Sequence, residues 1–194
     1  MSLKQYLNDK KCNIIEGFSA SSYKEVMMLQ VLCFGDNIKN ILEIGFNAGH
    51  STDIFLNTNA DCKVISFDIG EHDYVKVAKE FIDRTHSGRH TLNLGDSTKT
   101  IPKYETDIKY DLIFIDGGHS YEIARADLLN CKRFAHKDTI VIMDDTIYRK
   151  DWEKEWTIGP TRVWQEGIKN NTIIEANHFD FEPGKGMSWG KYII

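Results

Sequence analysis

The sequence predicts a doubly wound α/β fold, a mostly parallel sheet with helices on both faces. Three observations carry that expectation. Short apolar runs alternate with helix-length amphipathic stretches along the chain. One run, Leu112 to Ile115, is continuously apolar, as a strand buried on both faces should be. Five carboxylates, Asp68, Asp96, Asp116, Asp144 and Asp145, directly follow such runs, at the strand ends where these folds bind ligands.

The elements follow in order. Residues 1–36 read as an N-terminal helical segment, with 37–194 as the core of a single domain spanning 1–194. Ser21-Ser22 can cap a helix whose apolar stripe runs through Tyr23, Val26, Met27, Val31 and Phe34, and Met28, Leu29 and Leu32 widen that surface. Gly35-Asp36-Asn37 ends it. The segment is a candidate to cover the sheet, to rim a binding site, or to join two copies of the chain into a homo-oligomer. Ile41 to Ile44, broken only by Glu43, reads as the first strand. Gly45-Phe-Asn-Ala-Gly49 makes a sharp turn, and a helix opens at His50. A second strand ends at Asp68, a helix covers about Asp73 to Ile82, and His90 to Gly95 forms a third strand leading into Asp96-Ser97. The fourth strand, Tyr110 to Asp116, runs into Gly117-Gly118-His119 and a helix through Ile123, Ala126, Leu128 and Leu129. The fifth spans Thr139 to Asp145. Gly159-Pro160 is expected to start a helix through Val163 and Trp164. Strands near Thr172 to Glu175 and Ser188 to Ile194 finish the sheet.

Composition narrows the function. A chain of 194 residues suits one domain with a sizeable core. The formal net charge of −5 argues against nucleic-acid partners, which call for a basic patch. No apolar run approaches the roughly 20 residues that span a bilayer, so no membrane association is expected, and the N-terminus lacks a signal-like apolar core. Cys12, Cys33, Cys62 and Cys131 form no C-x-x-C pair and read as free thiols in a reducing compartment, the cytoplasm. A small-molecule acceptor is the expected partner.

A strand, a glycine-bearing turn and a helix N-terminus together make a small-molecule cradle, because glycines admit close backbone approach and the first helical N–H groups are free. The pattern here is Glu43-x-Gly45-x-Asn47-x-Gly49, with Asn47 suited to a left-handed backbone where a middle glycine would stand. The dinucleotide spacing G-x-G-x-x-G is not met, which argues against a nicotinamide oxidoreductase. Asp68 lies 23 residues beyond Gly45, the placement of an acid that accepts from ribose hydroxyls. The first motif resembles that of class I S-adenosylmethionine-dependent methyltransferases. The resemblance implies a Rossmann-like, seven-stranded sheet with an antiparallel C-terminal edge strand. It also implies S-adenosylmethionine as cofactor, S-adenosylhomocysteine as product, and Glu43, Gly45, Asn47, Gly49, Asp68, Asp96, Ser97 and Asp116 around the cofactor. An Asp at the position of Asp96 often reaches the adenine amino group in that family; Asp96-Ser97 is equally an ordinary N-cap pair.

Asp116, Asp144 and Asp145 converge if the fourth and fifth strands are neighbours. Three carboxylates at one mouth repel each other, and hard oxygen ligands suit Mg²⁺ or a similar divalent ion; helix capping and solvated loop acids are the plainer alternative. His119, three residues after Asp116 and beside that cluster, is placed to remove a hydroxyl proton. Ile115-Asp-Gly-Gly-His-Ser-Tyr-Glu122, Asp127-Leu128 and Ile142-Met-Asp-Asp145 resemble the metal-dependent O-methyltransferases of the macrocin and mycinamicin sugar-methylating type. That resemblance implies Asp116, Asp144 and Asp145 as metal ligands and His119 as general base. Catechol-type O-methyltransferases carry Asp-Asn where this chain has Asp-Asp. The acceptor is left open among a sugar, a glycosylated metabolite and a vicinal diol or diphenol. Trp152 and Trp156 can either wall its pocket or pack in the core. A metal-independent methyltransferase and a non-catalytic cofactor-binding module are the competing readings.

Overall fold

The computed structural model describes residues 1–14 and 19–194; the part of the expected N-terminal helical segment at 15–18 lies outside the described residues. The elements are α1 (Leu3–Asp9), α2 (Tyr23–Cys33), β1 (Asn40–Ile44), α3 (His50–Thr58), β2 (Lys63–Asp68), α4 (Asp73–Thr85), β3 (His90–Leu94), α5 (Ser97–Lys103), β4 (Tyr110–Ile115), α6 (Tyr121–Cys131), β5 (Ala135–Asp144), α7 (Glu155–Lys169), β6 (Ile173–Glu182) and β7 (Lys185–Tyr192). They form one seven-stranded sheet in the order β3-β2-β1-β4-β5-β7-β6. β1 to β5 are mutually parallel. The C-terminal strand β7 runs against both β5 and β6, so the reversed strand sits one place in and β6 takes the edge.

Helices cover both faces, as expected. One buried cluster joins α1, α2, α3 and α4 to the sheet, through residues such as Leu7, Leu29, Phe55 and Ile82. The other joins α5, α6 and α7, through Ile101, Leu128 and Trp164. Local sequence explains most of this. In α4 the buried Tyr74, Val75, Ala78, Phe81 and Ile82 recur at helical spacing. Ser120 caps α6 by accepting from the Ile123 N–H. In β1, Leu42 and Ile44 point into one cluster and Ile41 into the other. Burying one such side chain contributes about 1.5–3 kcal/mol. No helix among the described residues is long and apolar enough to cross a membrane.

Two expectations are corrected. The stripe read on α2 faces outward: Tyr23, Val31 and Phe34 are 76%, 66% and 76% exposed, whereas Leu29 and Cys33 are buried. This helix is apolar around most of its circumference, so periodicity could not choose its inner face; packing on α3 and an ion pair between Glu25 and Lys185 of β7 set its rotation. The second concerns Gly159-Pro160, which lies in the second turn of α7 rather than at its start. A proline there removes one helical hydrogen bond; Pro160 is buried and lines a small cavity with Ile115, Asp116, His119 and Met143. The strands β6 and β7 are also longer than expected, because their hairpin pairs from Ile173–Tyr192 down to Glu182–Lys185, and β5 begins earlier, at Ala135, which pairs with Tyr110 of β4.

Candidate active site

The parallel register brings the strand ends level. Ile44 pairs with Phe67 and with Ile115, Asp68 with Leu94, and Ile115 with Met143. The chain therefore leaves β1, β2, β4 and β5 at one edge, carrying Gly45, Asp68, Asp116 and Asp144 there. Helices on opposite faces follow β1 and β4, so these neighbours form the switch point where such sheets bind ligands. The two turns touch at that point. A Cβ on Gly45 would fall 1.8 Å from the Asp116 carbonyl oxygen, and the Asp116 N–H donates to the Ile44 carbonyl at 2.9 Å.

The β1–α3 turn has the backbone expected of it. Gly45 (φ 94°), Asn47 (φ 47°) and Gly49 (φ 76°) all lie in the left-handed region. Asp68 ties this turn to β2: its carboxylate accepts from the Asn47 N–H at 2.8 Å and from the Gly70 N–H at 2.7 Å. Beside it Ile69 and Leu94, at the ends of β2 and β3, are 58% and 52% exposed. Sequence reading passed over both, because single exposed aliphatics have no motif.

Glu43 lies under the turn, fully enclosed, and turned away from the mouth. Its carboxylate accepts from Ser51 at 2.5 Å, from Thr52 at 2.6 Å and from Ser66. Burial raises its pKa, partly offset by those hydroxyls. Ser66 continues the network to His90 at 2.9 Å, and burial pushes that imidazole down to about 3, so it is neutral. Glu43 thus fastens α3 to β1 and β2 and shapes the cradle from below. Asp96 caps α5: it accepts from the Thr98 N–H at 3.0 Å and the Thr98 hydroxyl at 2.6 Å and pairs with Lys99 at 2.8 Å. The Lys99 and Thr98 contacts hold its carboxyl down at about 2. Ser97 follows as the first residue of α5, half-buried on the same rim.

At the ends of β4 and β5, one ligand atom each from Asp116, His119 and Asp145 lie within 4.8 Å of one another. His119 Nε2 is 3.0 Å from Asp145 Oδ2, with the imidazole side 45% exposed and the carboxylate 17%. Asp145 holds this place with a left-handed backbone (φ 55°), which Asp tolerates better than most residues. Asp144 is buried beside them and outside that close group. Burial drives the Asp116 and Asp144 pKa values well above the usual carboxylate range, and neighbouring carboxylates push the same way: Asp145 on Asp116, Glu25 and Asp116 on Asp144. Glu25 acts on both carboxyls and carries no sequence signal, since only folding brings α2 against Lys185 of β7 and near Asp116 and Asp144. Burial raises its pKa, and Lys185, 3.3 Å away, opposes that shift. Trp152 stacks under Arg149, 3.8 Å from the guanidinium carbon, and the Trp156 indole donates to the Gly184 carbonyl at 3.0 Å. Trp164 is core.

Asp127, in the second turn of α6, is buried behind the same loop. Its Oδ2 would sit 2.9 Å from a Cβ on Gly117. Burial pushes this carboxyl up to about 7. A carboxyl whose folded pKa is raised binds its proton more tightly folded than unfolded. Stability is therefore greatest below about pH 4 for this group and falls as pH rises toward 7, by up to roughly 4 kcal/mol. Asp127→Asn should flatten that slope: the melting temperature lost between pH 5 and pH 8 shrinks in the variant, and an unchanged difference would remove Asp127 as its source.

A family model described as a methyltransferase domain matches residues 42–146. The chain belongs to that family. No curated protein sequence matches it closely enough to place it further. Cofactor-bound Rv0187 from MTB superposes with a TM-score of 0.79 at 18% identity, covering 98% of this chain and 87% of that one. The O-methyltransferase from Bacillus cereus in complex with SAH gives 0.73 at 17%, covering 98% and 89%. CalS11, a TDP-rhamnose 3'-O-methyltransferase of calicheamicin biosynthesis, gives 0.65 at 17%, covering 87% and 78%. These likenesses establish the fold: a Rossmann-like methyltransferase sheet with helices on both sides.

Proposed function

We propose that residues 1–194 work as a single domain that transfers a methyl group from S-adenosylmethionine to a hydroxyl of a small-molecule acceptor with two neighbouring oxygens, such as a sugar or a vicinal diphenol. The observation that carries this reading is the meeting of Asp116, His119 and Asp145 beside the Gly45–Gly49 cradle, at the switch point of a methyltransferase sheet. The residues present suit the cofactor. Asp68 already orders the cradle and keeps acceptor capacity for ribose hydroxyls, the exposed Ile69 and Leu94 offer apolar faces to an adenine, and Asp96-Ser97 stand on the same rim. The cofactor supplies an electrophilic sulfonium methyl.

The donor set also suits a divalent ion. Carboxylate oxygens favour Mg²⁺ or a similar hard cation, and a positive charge would offset the burial, and the lesser carboxylate repulsion, that raise the pKa of Asp116 and Asp144. Asp116, Asp144 and Asp145 would hold it, and when bound it would make a ligated acceptor hydroxyl more acidic. Asp145 accepts from the His119 Nε2–H, so it orients the imidazole and stabilises the imidazolium, and the acceptor hydroxyl gives its proton to the other ring nitrogen, Nδ1. A second reading, in which His119 is itself a ligand and Asp144 a buried supporting charge, is favoured by one observation: the close group contains His119 and not Asp144.

Methyl transfer to a vicinal diphenol and to free sugars, with and without a chelator, tests the proposal. Chelation should abolish turnover, and His119→Ala should lower kcat by about 10²–10⁴-fold with S-adenosylhomocysteine binding intact. Turnover that survives both treatments would sink the mechanism. Calorimetric titration of Mn²⁺ separates the two roles: His119→Ala weakens Mn²⁺ binding only if the imidazole is a ligand.

A further inference from the structure

The pair formed by His119 and Asp145 is gripped from one side by a single helix that lies outside the family-matched segment. Gly159 of α7 packs on the turn carrying His119 so closely that a Cβ there would lie 2.1 Å from the His119 carbonyl oxygen and 2.9 Å from the Tyr121 nitrogen. Two residues on, the buried Thr161 hydroxyl accepts from the Ile147 N–H at 2.8 Å, two residues after Asp145. The loop after β4 and the loop after β5 thus rest on adjacent positions of one rigid element. This also accounts for a glycine inside a helix: it costs helical stability there, and only a residue without a side chain lets the His119 turn touch the helix backbone.

We infer that α7 sets the spacing between His119 and Asp145, with Gly159 and Thr161 acting as positioning residues for the proposed base. The inference rests on the reading of His119 given above, but its geometry can be tested without turnover. The readout is the Cε1–H resonance of His119 in the 194-residue chain, identified by its loss in His119→Ala, with the other six histidines as internal controls. Gly159→Ala and Thr161→Val should each move the His119 resonance and leave the others in place, and Thr161→Ser, which keeps the hydroxyl, should restore it. In the diphenol assay Thr161→Val should lower kcat about tenfold or more, with no further loss in a His119→Ala background. If Gly159→Ala does not fold, the two Thr161 variants decide alone. A His119 resonance unmoved by Thr161→Val, or all seven histidines moving together, overturns the inference. Methyl transfer undiminished in His119→Ala would instead overturn the proposed function and leave the resonance result standing.

Discussion

Asp145→Asn lowers kcat/KM for methyl transfer by roughly 10³-fold or more, because one side chain serves two purposes. Its Oδ2 stands 3.0 Å from His119 Nε2, and its carboxylate belongs to the group that can share a cation with Asp116. Asn keeps the shape and the tolerance for the left-handed backbone at this position. It also removes a like charge that pushes the Asp116 and Asp144 pKa values upward. The fold should therefore hold or gain slightly while the chemistry is lost. Three readings of the purified variant settle it: S-adenosylhomocysteine binding within a few-fold of wild type, a melting temperature not lowered, and Mn²⁺ affinity and turnover both reduced. A variant with normal turnover would remove Asp145 from the mechanism, and one that melts early would make it a structural residue instead.

Gly45→Ala is the most damaging single methyl the structure offers. The new Cβ would lie 1.8 Å from the Asp116 carbonyl oxygen and 2.7 Å from its carbon, backbone atoms of a neighbouring strand that cannot yield separately. The position also requires φ 94°, which an L side chain rarely adopts. Strain of both kinds should cost about 3 kcal/mol or more, a fall in melting temperature of roughly 6–12 °C for a chain of this length. Because the contact joins the cradle to the Asp116 turn, whatever folds should lose cofactor affinity and metal affinity together. Differential scanning calorimetry and the two titrations give the answer. Loss of cofactor affinity with Mn²⁺ binding intact would show that the two turns are not mechanically joined.

Local information sufficed for the turns and the strand ends. Asn47 was expected in a left-handed turn and has φ 47°; the carboxylates after β2, β4 and β5 were expected at one edge, and the register puts them there. Both follow from signals a few residues long. Glu43 was read as lining the cofactor site, and its place beneath the cradle became visible only with Ser51, Thr52 and Ser66 folded around it. The α2 stripe failed because nearly every face of that helix is apolar, leaving the choice to partners more than a hundred residues away, such as Lys185.

By itself, then, the chain's sequence determined the strand–turn–helix rhythm, the conformations of its turns and the positions of its acids, since alternation, glycine and apolar runs act through neighbouring residues. Tertiary structure alone decided that His119 meets Asp145, that Asp144 is buried to one side, that Glu25 joins the acid group, and that Gly159 sits inside α7 rather than ahead of it. These are distances between residues far apart in the chain. They depend on how helices pack on the sheet, and no local pattern encodes them.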